Sequence, residues 1–175
     1  RNQNLGTTTR KPILNPKSCI LNPIITGGGQ EFMLRSGTEN VPYIVGFARA
    51  VELVVDDREG ERNKLAAVKK YFLDGLKKIV PGCEVNGNER AAVPSIANVY
   101  FPHCHAEDFL TKLDLAGVAA STGSACAARS ITPSHVLAAA GYPEERARNS
   151  VRFSFGRPTT RKEIDSALKI ITMSL

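Results

Sequence analysis

Cys126 stands near the centre of Ser121-Thr-Gly-Ser-Ala-Cys-Ala-Ala-Arg129. Glycine and serine let the backbone bend there, and alanine leaves no bulk around the sulfur. Such a loop suits an accessible nucleophilic thiol that reaches into a site and withdraws. On the loop alone a small buried cysteine in an ordinary turn is the more ordinary reading, because free cysteine is among the most buried residue types. Downstream, Val151-Arg-Phe-Ser-Phe155 alternates cleanly. Val151, Phe153 and Phe155 are expected to face a core, with Arg152 and Ser154 on the other side. A third stretch, Gly27-Gly-Gly-Gln-Glu-Phe-Met-Leu-Arg-Ser-Gly-Thr-Glu-Asn40, has no periodicity and reads as a loop that offers its side chains outward. Thr38 near its end has two readings, a cap for the helix that follows or a phosphate contact at that helix start. His103-Cys104-His105 invites a metal. Adjacent side chains on extended backbone diverge, and no further His/Cys pair completes a ligand set, so no metal site is expected.

The elements that must position these residues follow from hydrophobic spacing. Ile44, Phe47, Ala48, Val51 and Val55 form one stripe of a helix over 41–55, with Pro42 in its first turn. Leu65, Val68, Phe72, Leu76 and Ile79 form the apolar face of a second helix over 58–79, with lysines opposite, and Pro81-Gly82 stops it. Residues 83–94 read mostly as turn, marked by Asn86-Gly87-Asn88. Strands are expected over 96–101 and 118–121, and short helices over 106–116, 133–141 and 144–150. Thr160, with Glu163 three residues on, makes a capping box for a terminal helix. The second half is thus a small α+β domain with helices packed on one sheet.

The totals narrow the field. The chain has 175 residues, 42% of them hydrophobic and 23% charged, which is ordinary for a globular domain. No apolar run approaches the ~20 residues of a membrane span, and the polar N-terminus lacks the apolar core of a signal peptide. Arg1 opens the chain without an initiator methionine, so a fragment or processed chain is expected. The four cysteines form no C-x-x-C pair, and a reducing compartment is expected. The net charge of +6 is scattered, without aromatic interleaving, and no nucleic-acid role is expected.

The three stretches, in this order, resemble the C-terminal part of the class I cysteine desulfurases of the NifS/IscS type, over about residues 23–175. Selenocysteine lyases share the glycine-rich and Gly-Thr-Glu-Asn elements and form the alternative, together with a non-catalytic domain that kept the fold. The resemblance implies the small α+β domain of a pyridoxal-phosphate-dependent transferase of aminotransferase fold type I. Residues 1–40 would be a remnant of the large domain with the cofactor and dimer loop, and 41–175 the small domain. It implies a homodimer that takes sulfur from L-cysteine, leaves L-alanine and hands a persulfide to an acceptor such as an iron-sulfur scaffold. A cytoplasmic location is implied, or a mitochondrial one in a eukaryote. By the same resemblance Cys126 is the sulfur-accepting nucleophile, Arg152 grips the substrate carboxylate, and Thr38 bonds the cofactor phosphate of the partner subunit. One departure stands out. The family carries its cofactor lysine in a Ser-x-His-Lys context just upstream of the glycine-rich stretch. Here that region reads Arg1-Asn-Gln-Asn-Leu-Gly-Thr-Thr-Thr-Arg-Lys-Pro12, and neither Lys11 nor Lys17 has a matching context. The chain alone is therefore expected not to form the cofactor linkage.

Overall fold

Leu65, Val68, Phe72 and Leu76 recur at helical spacing, and burying that stripe organises the second half of the chain. In the computed structural model, which describes residues 22–88, 91–122 and 133–175, they lie on helix α2 (Arg58–Ile79) and enter the core. The other elements of this part are β1 (Glu84–Val85), β2 (Ile96–Tyr100), α3 (Ala106–Leu115), α4 (His135–Ala139), α5 (Glu144–Arg148), β3 (Ser150–Ser154) and α6 (Arg161–Ser174). Among the described residues the strands form one antiparallel sheet in the order β1-β2-β3.

Period-two alternation divides the sheet into two chemically different faces. Ala97, Val99, Val151 and Phe153 point to the face that α2, α3 and α6 cover. Phe72 of α2 meets Phe153 and Phe155 at centroid distances of 4.9 and 5.4 Å, in tilted arrangements. Gly75 sets how closely α2 and α6 approach, because a Cβ there would lie 2.4 Å from Leu168 Cδ1. The capping box expected at Thr160 is present at the start of α6: Thr160 Oγ1 accepts from Glu163 N–H, and Glu163 Oε2 accepts from Thr160 N–H at 2.7 Å.

Three expectations change. Residues 118–121 do not form a strand: Val118 N–H closes the end of α3 on Leu113 O at 2.8 Å, and only Ser121 pairs with the sheet. Within the stretch read as turn, Glu84 and Val85 pair with Tyr100 and Val99. Lys69 is one of the lysines expected opposite the apolar face of α2. It is buried instead, with Nζ donating to Val93 O at 3.2 Å, so its stem serves as packing.

The chain divides into two units, Arg1–Leu53 and Val54–Leu175. In the first, Ser36 Oγ donates to Gly28 O at 2.7 Å and Ser36 N–H to Ile25 O at 3.2 Å, closing the glycine-rich loop. Glu31, Phe32 and Met33 hold φ of 52°, 55° and 65°, a left-handed turn that costs ~1–2 kcal/mol per residue. Helix α1 (Val41–Asp56) follows and has no buried residue. Its expected stripe is solvent-exposed throughout, Phe47 at 73%.

Candidate functional site

The sheet face opposite the helical layer is polar apart from Ile96 at its edge. It carries Asn98 and Tyr100 of β2 and Ser150, Arg152 and Ser154 of β3. Arg152 is half-buried there, as the alternation predicts. Its Nε is buried and has no hydrogen-bond partner among the described residues. A buried donor left without a partner costs ~1–3 kcal/mol, and a guanidinium fork with an open donor is shaped for a planar oxyanion such as a carboxylate.

Two strands of backbone flank Arg152. On one side Asn98 stands opposite it in the β2–β3 register. On the other, Ser121 forms an antiparallel bridge: Arg152 N–H donates to Ser121 O at 2.6 Å, and Ser121 N–H donates to Arg152 O at 3.1 Å. Cys126, the expected nucleophile, follows Ser121 by five residues and lies outside the described residues.

Arg146 of α5 organises the covered end of this face. It lies over the rings of Tyr100 and Tyr142, 5.3 and 4.8 Å from their centroids. Its Nη1 pairs with Glu84 at 2.5 Å and its Nε donates to Asn86 Oδ1 at 2.6 Å. Asn86 Nδ2 donates in turn to Asn98 Oδ1 at 2.7 Å and to Ser150 Oγ at 2.8 Å. Sequence reasoning missed Asn86, Asn98, Arg146 and Ser150. Alternation alone could have placed Asn98, Ser150 and Arg152 on one side. Their lateral order needed the strand register.

Thr38 is exposed, and the helix it could have capped is capped by Asn40. Tyr43 N–H donates to Asn40 Oδ1 at 3.4 Å and Ile44 N–H to Asn40 O at 3.0 Å. The capping reading of Thr38 is thereby removed.

The resemblance brings pyridoxal phosphate into question, and the fit can be tested on the lysines. Every described lysine lies on α2, α3 or α6. Those helices cover the apolar face of the sheet, so among the described residues no amine stands on Arg152's side to bind a carbonyl cofactor covalently. The described residues do not make that cofactor site by themselves.

His103, Cys104 and His105 lie elsewhere, in an open depression of about 590 Å³ with Glu144, Glu145, Arg148 and Asn149. His103 has φ of 59°, which breaks the alternation assumed for an extended run. All three residues line one depression. Even so, no group of three or more His, Cys, Asp or Glu among the described residues is placed to hold a metal ion. Burial pushes the Cys104 thiol up from its ordinary value, which keeps it protonated and slow to react. No helix among the described residues is long and apolar enough to cross a membrane.

Comparison with known proteins is consistent across sequence and structure. The Aminotransferase class-V family profile matches residues 23–167. The chain is 42% identical over 154 residues to the putative cysteine desulfurase IscS 1 of Bacillus subtilis, covering 87% of this chain and 41% of that protein. It is 40% identical over 151 residues to the cysteine desulfurase IscS 1 of Archaeoglobus fulgidus, covering 86% and 39%. The X-ray structure of a NifS-like protein from Rickettsia africae superposes with a TM-score of 0.75 at 30% identity, covering 89% of this chain and 40% of that one. The chain thus spans about two fifths of the length of the curated relatives it matches.

Proposed function

The chain belongs to the aminotransferase class V family, and from that premise we propose that it is the C-terminal part of a cysteine desulfurase. In this reading Arg152 binds the carboxylate of L-cysteine and Cys126 accepts its sulfur for transfer to an acceptor protein such as an iron-sulfur scaffold. Thr38 contacts the phosphate of pyridoxal phosphate across a homodimer. The remaining three fifths of the enzyme supply the cofactor lysine.

The observation that carries the reading is the Ser121–Arg152 bridge, taken with the open Nε of Arg152. Both backbone bonds of the bridge fix where the cysteine segment leaves the sheet. Five residues span at most ~18 Å, which bounds how far Cys126 can lie from Ser121 in this reading. The layout of the described lysines supports the second half of the proposal, that this piece binds and accepts but does not carry the cofactor alone. The exposed apolar residues of α1 support it as well. A helix apolar on most sides belongs inside a larger core.

A graft tests the proposal. The segment of the Bacillus subtilis relative that matches this chain is replaced by the matching part of this chain. The chimera is expected to turn L-cysteine into L-alanine. Cys126→Ala is expected to abolish sulfur transfer, and Arg152→Ala to cut kcat/KM by roughly 100-fold or more. A chimera whose activity survives Cys126→Ala would end the assignment of that thiol. For the chain alone, mixed with pyridoxal phosphate, neither alanine nor a borohydride-fixed adduct is expected. Such an adduct would show that a lysine of this chain carries the cofactor after all.

A further inference from the structure

The polar face contains a chain of carboxamides whose direction is set at one end. Arg146 can only donate. Because its Nε donates to Asn86 Oδ1, the other end of that amide is Nδ2, a donor. Ser150 cannot answer with a proton, since its hydroxyl already donates to Arg146 O at 2.6 Å. Both Ser150 Oγ and Asn98 Oδ1 therefore accept from Asn86. The amide orientation of Asn98 is thus imposed by an arginine two residues away in the network, not by its own surroundings. Its oxygen is committed toward Asn86, which follows β1. Its Nδ2 group has no hydrogen-bond partner among the described residues.

Asn98 is also the residue opposite Arg152. Side chains of directly opposed residues share one face, with Cβ atoms ~4.5–5.5 Å apart. Two donors without partners among the described residues, Asn98 Nδ2 and the buried Nε of Arg152, therefore belong to directly opposed residues of the polar face. We propose that Asn98 is a second ligand of the carboxylate held by Arg152, its Nδ2 turned toward that carboxylate by the Arg146–Asn86 relay. This rests on the carboxylate reading of Arg152 given above. It adds a residue that the three sequence stretches did not contain.

The test is a titration of the full isotope-labelled chain with L-alanine, which bears the same carboxylate and does not react. The readouts are the Arg152 Nε–H and Asn98 Nδ2–H₂ resonances, with L-alaninol as the control lacking a carboxylate. Both resonances are expected to move with L-alanine and neither with L-alaninol. Asn98→Asp keeps the shape, loses the donor and adds a like charge, so affinity is expected to fall at least ~10-fold. Asn98→Ser keeps a smaller donor and is expected to fall between. Asn86→Asp still accepts from Arg146 but cannot hold Asn98 Oδ1, and a loss of ~3–10-fold is expected with Asn98 itself unchanged. Arg152→Gln separates the two claims. Should Arg152→Gln abolish binding while Asn98→Asp binds as well as the native chain, the Asn98 proposal falls and the Arg152 reading stands. Native affinity in Arg152→Gln, or no carboxylate-dependent shift in the native chain, would overturn both.

Discussion

Ser121 and Arg152 exchange both of their backbone hydrogen bonds, at 2.6 and 3.1 Å, and so join the start of the cysteine segment to the middle of β3. Proline at 121 would remove the N–H of one bond and clash with the pairing geometry. In Ser121→Pro the amide of Arg152 is expected to lose hydrogen-exchange protection by ~10-fold or more, while Val99 and Val151 amides stay protected. Unchanged exchange at Arg152 would mean that the bridge does not hold the segment to the sheet.

The core depends on one aromatic cluster and one close helix contact. Phe72 is 1% exposed and packs against two phenylalanines of the β3 segment. Phe72→Ala is expected to cost ~3–5 kcal/mol in urea unfolding. Gly75→Ala drives a methyl toward Leu168 and is expected to cost ~1–3 kcal/mol unless that side chain turns aside. A neutral Gly75→Ala would show that α2 and α6 can separate without loss.

The capping box makes a prediction with a sign in pH. The backbone N–H of Thr160, and then its hydroxyl, hold the Glu163 carboxyl below the usual carboxylate range. A lowered carboxyl contributes stability above its unfolded pKa and loses it as pH falls through the folded value. The melting temperature of the native chain should therefore exceed that of Glu163→Gln near neutrality, and the gap should close on acidification. Thr160→Ala is expected to cost ~1 kcal/mol at neutral pH. A gap that widens in acid would contradict this role for Glu163.

The thiols of Cys83 and Cys104 are both raised by burial. Peptide mapping after brief iodoacetamide treatment at about pH 8 should find both modified more slowly than a free thiol of ordinary pKa ~8.5. Groups with raised pKa leave stability intact below the unfolded value and withdraw it as pH rises toward the folded one. Thermal stability should accordingly fall above about pH 9, and less steeply in Cys104→Ala. Rapid labelling of Cys104 would place it in a more exposed setting than the depression beside His103 and His105.

Local rules were enough for much of this molecule. Spacing alone identified the buried face of α2, the capping box at Thr160 and the side of β3 on which Arg152 lies, because each depends on periodicity or on residues within one turn. The order of three short stretches was enough for the family. Tertiary structure decided the rest. Whether 118–121 forms a strand depended on which neighbour its N–H groups could reach, and only Ser121 found one in β3. Lys69 became part of the packing because Val93 O lay within reach of its ammonium. Thr38 lost its capping role because Asn40 stood nearer the first turn. Asn98 came beside Arg152 because strand register is set by pairing between distant segments, which no local pattern encodes.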